Sequence, residues 1–174
     1  QRSLVNSLIL AVVLSITVNA VGVFIVLVTR YYDIKGARFL WLGYATTLVY
    51  GGIVLVSGYK FLYGPNGMLT SALTTIVPVL DREWFSGAAA VIFVMTFATT
   101  GNHLLFLTSS MAKVDYQTVE AAQQMGASDG TILWRIVLPV LKPTLFAITI
   151  LTFLGGLGAL AAPQILGGRD FQTI

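Results

Sequence analysis

The chain has 174 residues, of which 56% are hydrophobic and 10% charged, and its mean hydropathy is +0.85. Soluble globular domains carry about 25% charged residues and disordered segments need low hydrophobicity, so both classes are excluded. With no cysteine and one histidine, disulfides, thiolate chemistry and a multi-histidine metal site are excluded too. The net charge of +3 comes from residues placed between apolar runs, which marks membrane topology rather than a nucleic-acid surface.

Uncharged stretches cover residues 3–29, 39–59, 61–80, 84–112 and 143–168. A membrane-spanning helix needs about 20 predominantly apolar residues, and four of the five stretches supply them. The pattern predicts spans over residues 4–29, 39–59, 87–111 and 143–163, in an all-α polytopic bundle forming a single domain over 1–174. The first stretch lacks a cleavage signature, so it is read as a span rather than a signal peptide. Because the chain does not begin with Met, a fragment of a longer protein is expected. In the stretch 61–80, Gly64-Pro65-Asn66-Gly67 breaks the run, and Met68 to Leu80 is too short to span. A short helix ending near Pro78 is expected there, within an outer loop 60–86.

Four spans put both termini on one side. Loops 30–38 and 113–142 hold six of the ten Lys and Arg residues. Positive loops favour the cytoplasm, so these two are placed inside and loop 60–86 outside.

Loop 113–142 is the most structured polar stretch. Asp115 is an N-cap candidate for a helix starting at Tyr116. Val119, Ala122 and Met125 recur at helical spacing, which predicts an apolar face opposite Glu120, Gln123 and Gln124. Gly126 is a stop signal. Ser128 is a second N-cap, with Asp129 in the first turn where the helix dipole favours it. A second short helix is expected from Thr131 to Leu138, with Pro139 and Pro143 marking entry to the last span. Connections between helices usually run about 2–8 residues. A loop this long with capped, partly apolar helices needs a surface to bury against, and a docked protein is expected.

These residues carry a resemblance. Glu120-Ala121-Ala122, three residues, Gly126, nine residues, then Ile136, one residue, Leu138-Pro139 resembles the EAA loop of the membrane-spanning permease subunits of binding-protein-dependent ABC importers, type I fold. Asn6-Ser7-Leu8, Leu62-Tyr63-Gly64 with Asn66-Gly67, and Leu166-Gly167-Gly168 look similar to the same family. The resemblance implies an ABC importer type I permease fold, here incomplete at its C-terminus. It implies that Glu120 to Gly126 form a coupling helix on a cytoplasmic ABC ATPase subunit. Glu120 would make polar contacts there, Ala121 and Ala122 would permit close approach, and Gly126 would make the turn. Ile136, Leu138 and Pro139 would anchor the second helix to the membrane core. It further implies a second permease bundle, fused or separate, an extracytoplasmic solute-binding protein, and a multi-pass location in a bacterial or archaeal inner membrane. No nucleic-acid partner is implied.

No phosphate-loop pattern occurs, since no glycine is followed by lysine. The chain is therefore expected not to be an enzyme, with ATP held on the partner subunit and no cofactor or metal in this chain. Thr99-Thr100-Gly101-Asn102-His103 interrupts the third span, and polar groups inside a bilayer face the bundle interior or a pathway. Asn102 and His103 are thus candidate pathway residues, the alternative being an interhelical hydrogen bond. Asn6, Thr17 and Asn19 in the first span and Tyr44 and Ser57 in the second carry the same ambiguity. Gly51-Gly52 and Gly155-Gly156 with Gly158 read as close-packing sites. Trp41, Trp84 and Trp134 read as interfacial anchors.

The resemblance leans towards the ferric-iron, polyamine, thiamine and sulfate branch, with ferric iron slightly favoured as substrate. The competing class is a secondary transporter or channel not driven by ATP. Such carriers place ionisable residues near the midplane, and no Asp, Glu, Lys or Arg lies within the four predicted spans. A non-transporting membrane scaffold is the third reading.

Overall fold

The computed structural model describes residues 2–32, 34–50, 52–77, 81–167 and 173. The described residues are helical, without strands. Helix α1 (Arg2–Val26) continues through a π-helical turn, Leu27–Tyr31. Then come α2 (Ala37–Val49), α3 (Gly52–Tyr63), α4 (Met68–Ile76), α5 (Gly87–Met111), α6 (Tyr116–Gln124) and α7 (Asp129–Ile132). A second π-helical turn, Leu133–Val137, leads into α8 (Leu138–Leu157), and α9 (Ala161–Leu166) follows.

Three helical runs are long and apolar enough to cross a membrane: Ser3–Tyr31, Gly87–Met111 and Asp129–Leu157. A fourth crossing exists if the bent pair α2 and α3 counts as one span. Helix α1 lies against both α5 and α8, and α5 also contacts α8, α2 and α9. The core is therefore the α1–α5–α8 trio, with α2, α3 and α9 around it. Two apolar clusters stack along it. Leu10, Leu14, Val91, Val94 and Leu166 fill one end, and Leu107, Met111, Val119, Ile132, Val137 and Leu141 the other. Many large apolar side chains point outward, including Phe24, Phe39, Ile53, Phe61, Phe146 and Leu154, as expected where the surroundings are lipid or another helix bundle.

Three expectations are corrected. The run 39–59 is not one straight helix. It bends by 115° between α2 and the helical segment from Ile53, because the backbone at Tyr50 is extended (φ −83, ψ 125). Gly51 lies outside the described residues, so its proposed packing role is not seen. The prolines after the loop do not separate a short helix from the last span. Asp129–Leu157 is one helical run of 29 residues, with Pro143 inside α8. A proline donates no backbone hydrogen bond and crowds the preceding turn. The widened π turn before Pro139, where Leu138 N–H donates to Leu133 O, accommodates its ring. That run also ends early, at Leu157 with Gly158 beyond it, and α9 begins anew at Ala161. The short outer helix ends at Ile76, and Pro78 to Leu80 lie outside the described residues. So does Gly168.

Close packing is concentrated at a few glycines. A methyl group at Gly156 would lie 2.7 Å from Ala11 Cα, so α8 meets α1 backbone to side chain there. At Gly101 it would collide with Thr47 Oγ1 of α2. Gly155, by contrast, faces open space.

Candidate functional site

Two regions concentrate the polar chemistry: the loop 113–142 and the polar centre of α5.

In the loop, Asp115 caps α6 as its sequence indicates. Its carboxylate accepts from Gln117 N at 3.0 Å and from Thr118 Oγ1 at 2.8 Å. These two hydrogen bonds, that from Thr118 first, hold the Asp115 carboxyl below its ordinary value. The turn that ends α6 carries Gly126 at φ +82, the left-handed region that disfavours a side chain. Ser128 then caps α7 by accepting from Thr131 N. The helix pair is fastened to the membrane core from beneath: Val119 and Ile132 are buried in the apolar cluster, with Ala122 and Ile136 packed against it. Glu120 and Ala121 face outward. Met125, expected on the apolar face, is 82% exposed instead. It sits past the end of α6, where the chain already turns towards Gly126, so it leaves the helical face. Leu138 is half-buried and Pro139 exposed at the start of α8. Trp134 is also exposed.

The α5 pair separates. His103 is fully buried between α5 and α1, its Nε2 paired with Asn19 Oδ1 at 3.1 Å. Asn19 Nδ2 in turn donates to Ser15 O and to Thr149 Oγ1 of α8. Gly22 leaves the room for the imidazole, since a methyl group there would stand 2.6 Å from His103 Cβ. Thr17–Thr96 at 2.8 Å and Ser110–Thr144 at 2.5 Å add further hydroxyl links within the trio. The interhelical hydrogen bond is thus the contact His103 makes. Asn102, one residue earlier, is exposed on another face. With Met95, Thr99 and Gly155 it lines two adjoining hollows of about 370 and 360 Å³. The first reaches Tyr50 at the α2–α3 bend and Ala159 beside α9. Among the described residues no cluster of three metal-ligating side chains occurs.

The family of binding-protein-dependent transport system inner membrane components matches residues 65–174. The chain belongs to that family. Over its whole length this permease chain is 46% identical to a probable ABC transporter permease protein of Sinorhizobium fredii, of which it covers 31%. It is 26% identical to the spermidine/putrescine transport system permease protein of Haemophilus influenzae, over 70% of this chain and 43% of that protein. To a ferric transport system permease protein of Actinobacillus pleuropneumoniae it is 23% identical, over 67% of this chain and 17% of that protein. The chain thus spans less than half of each of these relatives. An all-α permease architecture agrees with the family, whose members are non-enzymatic, multi-pass inner-membrane transport components.

Proposed function

We propose that this permease chain forms part of the translocation pathway of an ATP-driven solute importer and couples it, through residues 113–142, to a cytoplasmic ATPase subunit that holds the ATP. The observation that supports this most is the construction of that loop: two capped helices fastened to the core by Val119 and Ile132, while Glu120, Ala121 and Met125 stay exposed. A solvated linker has no need of such anchoring. A docking element that transmits force does. Six of the ten basic residues lie in loops 30–38 and 113–142, which supports placing both on the cytoplasmic side. A second permease bundle and an extracytoplasmic solute-binding protein complete the importer in this reading.

Within the pathway, Asn102 is the residue that faces a hollow, and His103 positions helices. The substrate is a solute handed over by the binding protein. Ferric iron rests on relatives 23% identical, while relatives at 25–26% carry names for spermidine/putrescine, glucose and osmoprotective compounds, so similarity does not single out iron.

The test is co-purification of the full-length permease with its ATPase, wild type against a Glu120→Ala/Gly126→Asp variant. Wild-type capture that the variant loses supports the coupling role. Equal capture by both overturns it.

A further inference from the structure

Arg30 directly follows the uncharged stretch 3–29, and Arg38 directly precedes the stretch 39–59. The fold brings them to one place. They line a cavity of about 440 Å³ with Thr29, Ala37, Trp41 and Leu42, between the end of α1 and the start of α2. Arg30 stands over the Trp41 ring, its guanidinium carbon 5.8 Å from the ring centroid, a cation–π distance. Both arginines are exposed, and among the described residues neither has an ion-pair partner. Thr29 contributes no free donor, since its hydroxyl donates to Ile25 O. The cavity is thus cationic without internal compensation, and its other wall is apolar.

Its depth is set by its neighbours. Tyr31 and Trp41 pack on the apolar cluster that holds Val119 and Ile132, so the cavity opens at the end of the bundle that carries residues 113–142. Beside it, Phe39 is 85% and Leu42 52% exposed, continuing the apolar surface of α2 away from the two charges. A guanidinium pair next to an indole, above an outward apolar strip, matches an amphiphile with an anionic head and acyl tails. A soluble anion would use the arginines and leave the apolar wall in water.

We propose that the Arg30–Arg38–Trp41 cavity binds the phosphate headgroup of an anionic phospholipid in the leaflet at the end of the bundle that carries residues 113–142. The guanidinium groups donate to the phosphate oxygens, Trp41 closes the cavity at headgroup level, and the acyl chains lie along Leu42 and Phe39. Basic pockets between membrane helices commonly select acidic headgroups.

The test is native mass spectrometry of the full-length permease purified with its partner subunits, delipidated, and re-supplied with phosphatidylglycerol or phosphatidylcholine. Wild type is expected to retain phosphatidylglycerol preferentially. Arg30→Gln/Arg38→Gln should weaken that retention by about 30-fold, about five-fold for each arginine. Arg30→Lys/Arg38→Lys should keep most of it, and Arg82→Gln, in loop 60–86, should leave it unchanged. Excess inorganic phosphate should not displace the lipid. The proposal falls if wild type shows no preference for phosphatidylglycerol, or if the glutamine pair retains it equally. Displacement by inorganic phosphate would also overturn it, making the cavity a soluble-anion site. So would loss of the ATPase from the glutamine variant with lipid retention intact, which would assign the arginines to a protein partner.

Discussion

Gly22 on α1 presents its backbone to the imidazole of His103 on α5, where a methyl group would come within 2.6 Å of the histidine Cβ. Substituting alanine for a helical glycine ordinarily stabilises a helix by about 1 kcal/mol. Here the added carbon meets the root of a side chain rather than its flexible end, so overpacking wins. Gly22→Ala is expected to destabilise the purified permease by about 1–3 kcal/mol, read as a lowered melting temperature in detergent. His103→Ala in the same chain should recover part of that loss, because the two changes share one contact. A Gly22→Ala variant as stable as wild type would show that α1 and α5 are further apart than described.

Asn102 and His103 are neighbours in sequence with opposite surroundings. Asn102→Cys is expected to react quickly with a water-soluble thiol reagent in membranes, and His103→Cys slowly. This chain has no native cysteine to confuse the reading. If Asn102 lines the route, transported solute should slow its modification. Equal, solute-independent rates at both positions would remove Asn102 from the pathway.

Gly126 has no neighbour that an added Cβ would meet, only a backbone at φ +82. Gly126→Ala therefore tests conformation alone. The left-handed region costs a non-glycine residue about 1–2 kcal/mol, so alanine should weaken ATPase co-purification by about five- to thirty-fold. Asn, which tolerates this region better, should retain more than Ala. The reverse order would point to a steric role.

Asp115 makes the cap of α6 pH-dependent. Its carboxyl is held below the ordinary value of 3.8 by hydrogen bonds present only when the cap is formed. A depressed folded value means the stabilisation is present above 3.8 and lost as pH falls through the folded value. A spin label at Gln123→Cys should stay immobile at neutral pH and become more mobile in acid below that range. In an Asp115→Asn background this acid-induced change should vanish. A label equally mobile at both pH values would mean that the cap does not hold the helix.

The span 87–111 coincides with α5 as read from charge and length, and Asp115, Gly126 and Ser128 do the jobs that their types announce. These features are local, and so legible. The bend at Tyr50 was not legible, because an uncharged run records burial in lipid but not whether the helix within it is continuous. The role of Pro139 was misread for a related reason: the rule for proline assumes a regular α-helix, and the π turn beneath it relaxes that assumption. Pairings across the bundle were out of reach altogether. His103 and Asn19 are 84 residues apart, each polar and each ambiguous alone. Arg30 and Arg38 registered only as topology charges until folding set them around one cavity.

The run Asp129–Leu157 begins at the capped turn of the loop and ends deep in the bundle with no break between. At 1.5 Å per residue, its 29 residues make a beam about 43 Å long. A beam amplifies. A pivot of about 10° near its midpoint would carry each end about 4 Å in opposite directions over that length. Gly156, wedged against Ala11, is the bearing at the far end. A push of a few ångströms at Ser128 would therefore arrive at Gly155 and its hollow as displacement, without any intervening hinge to absorb it.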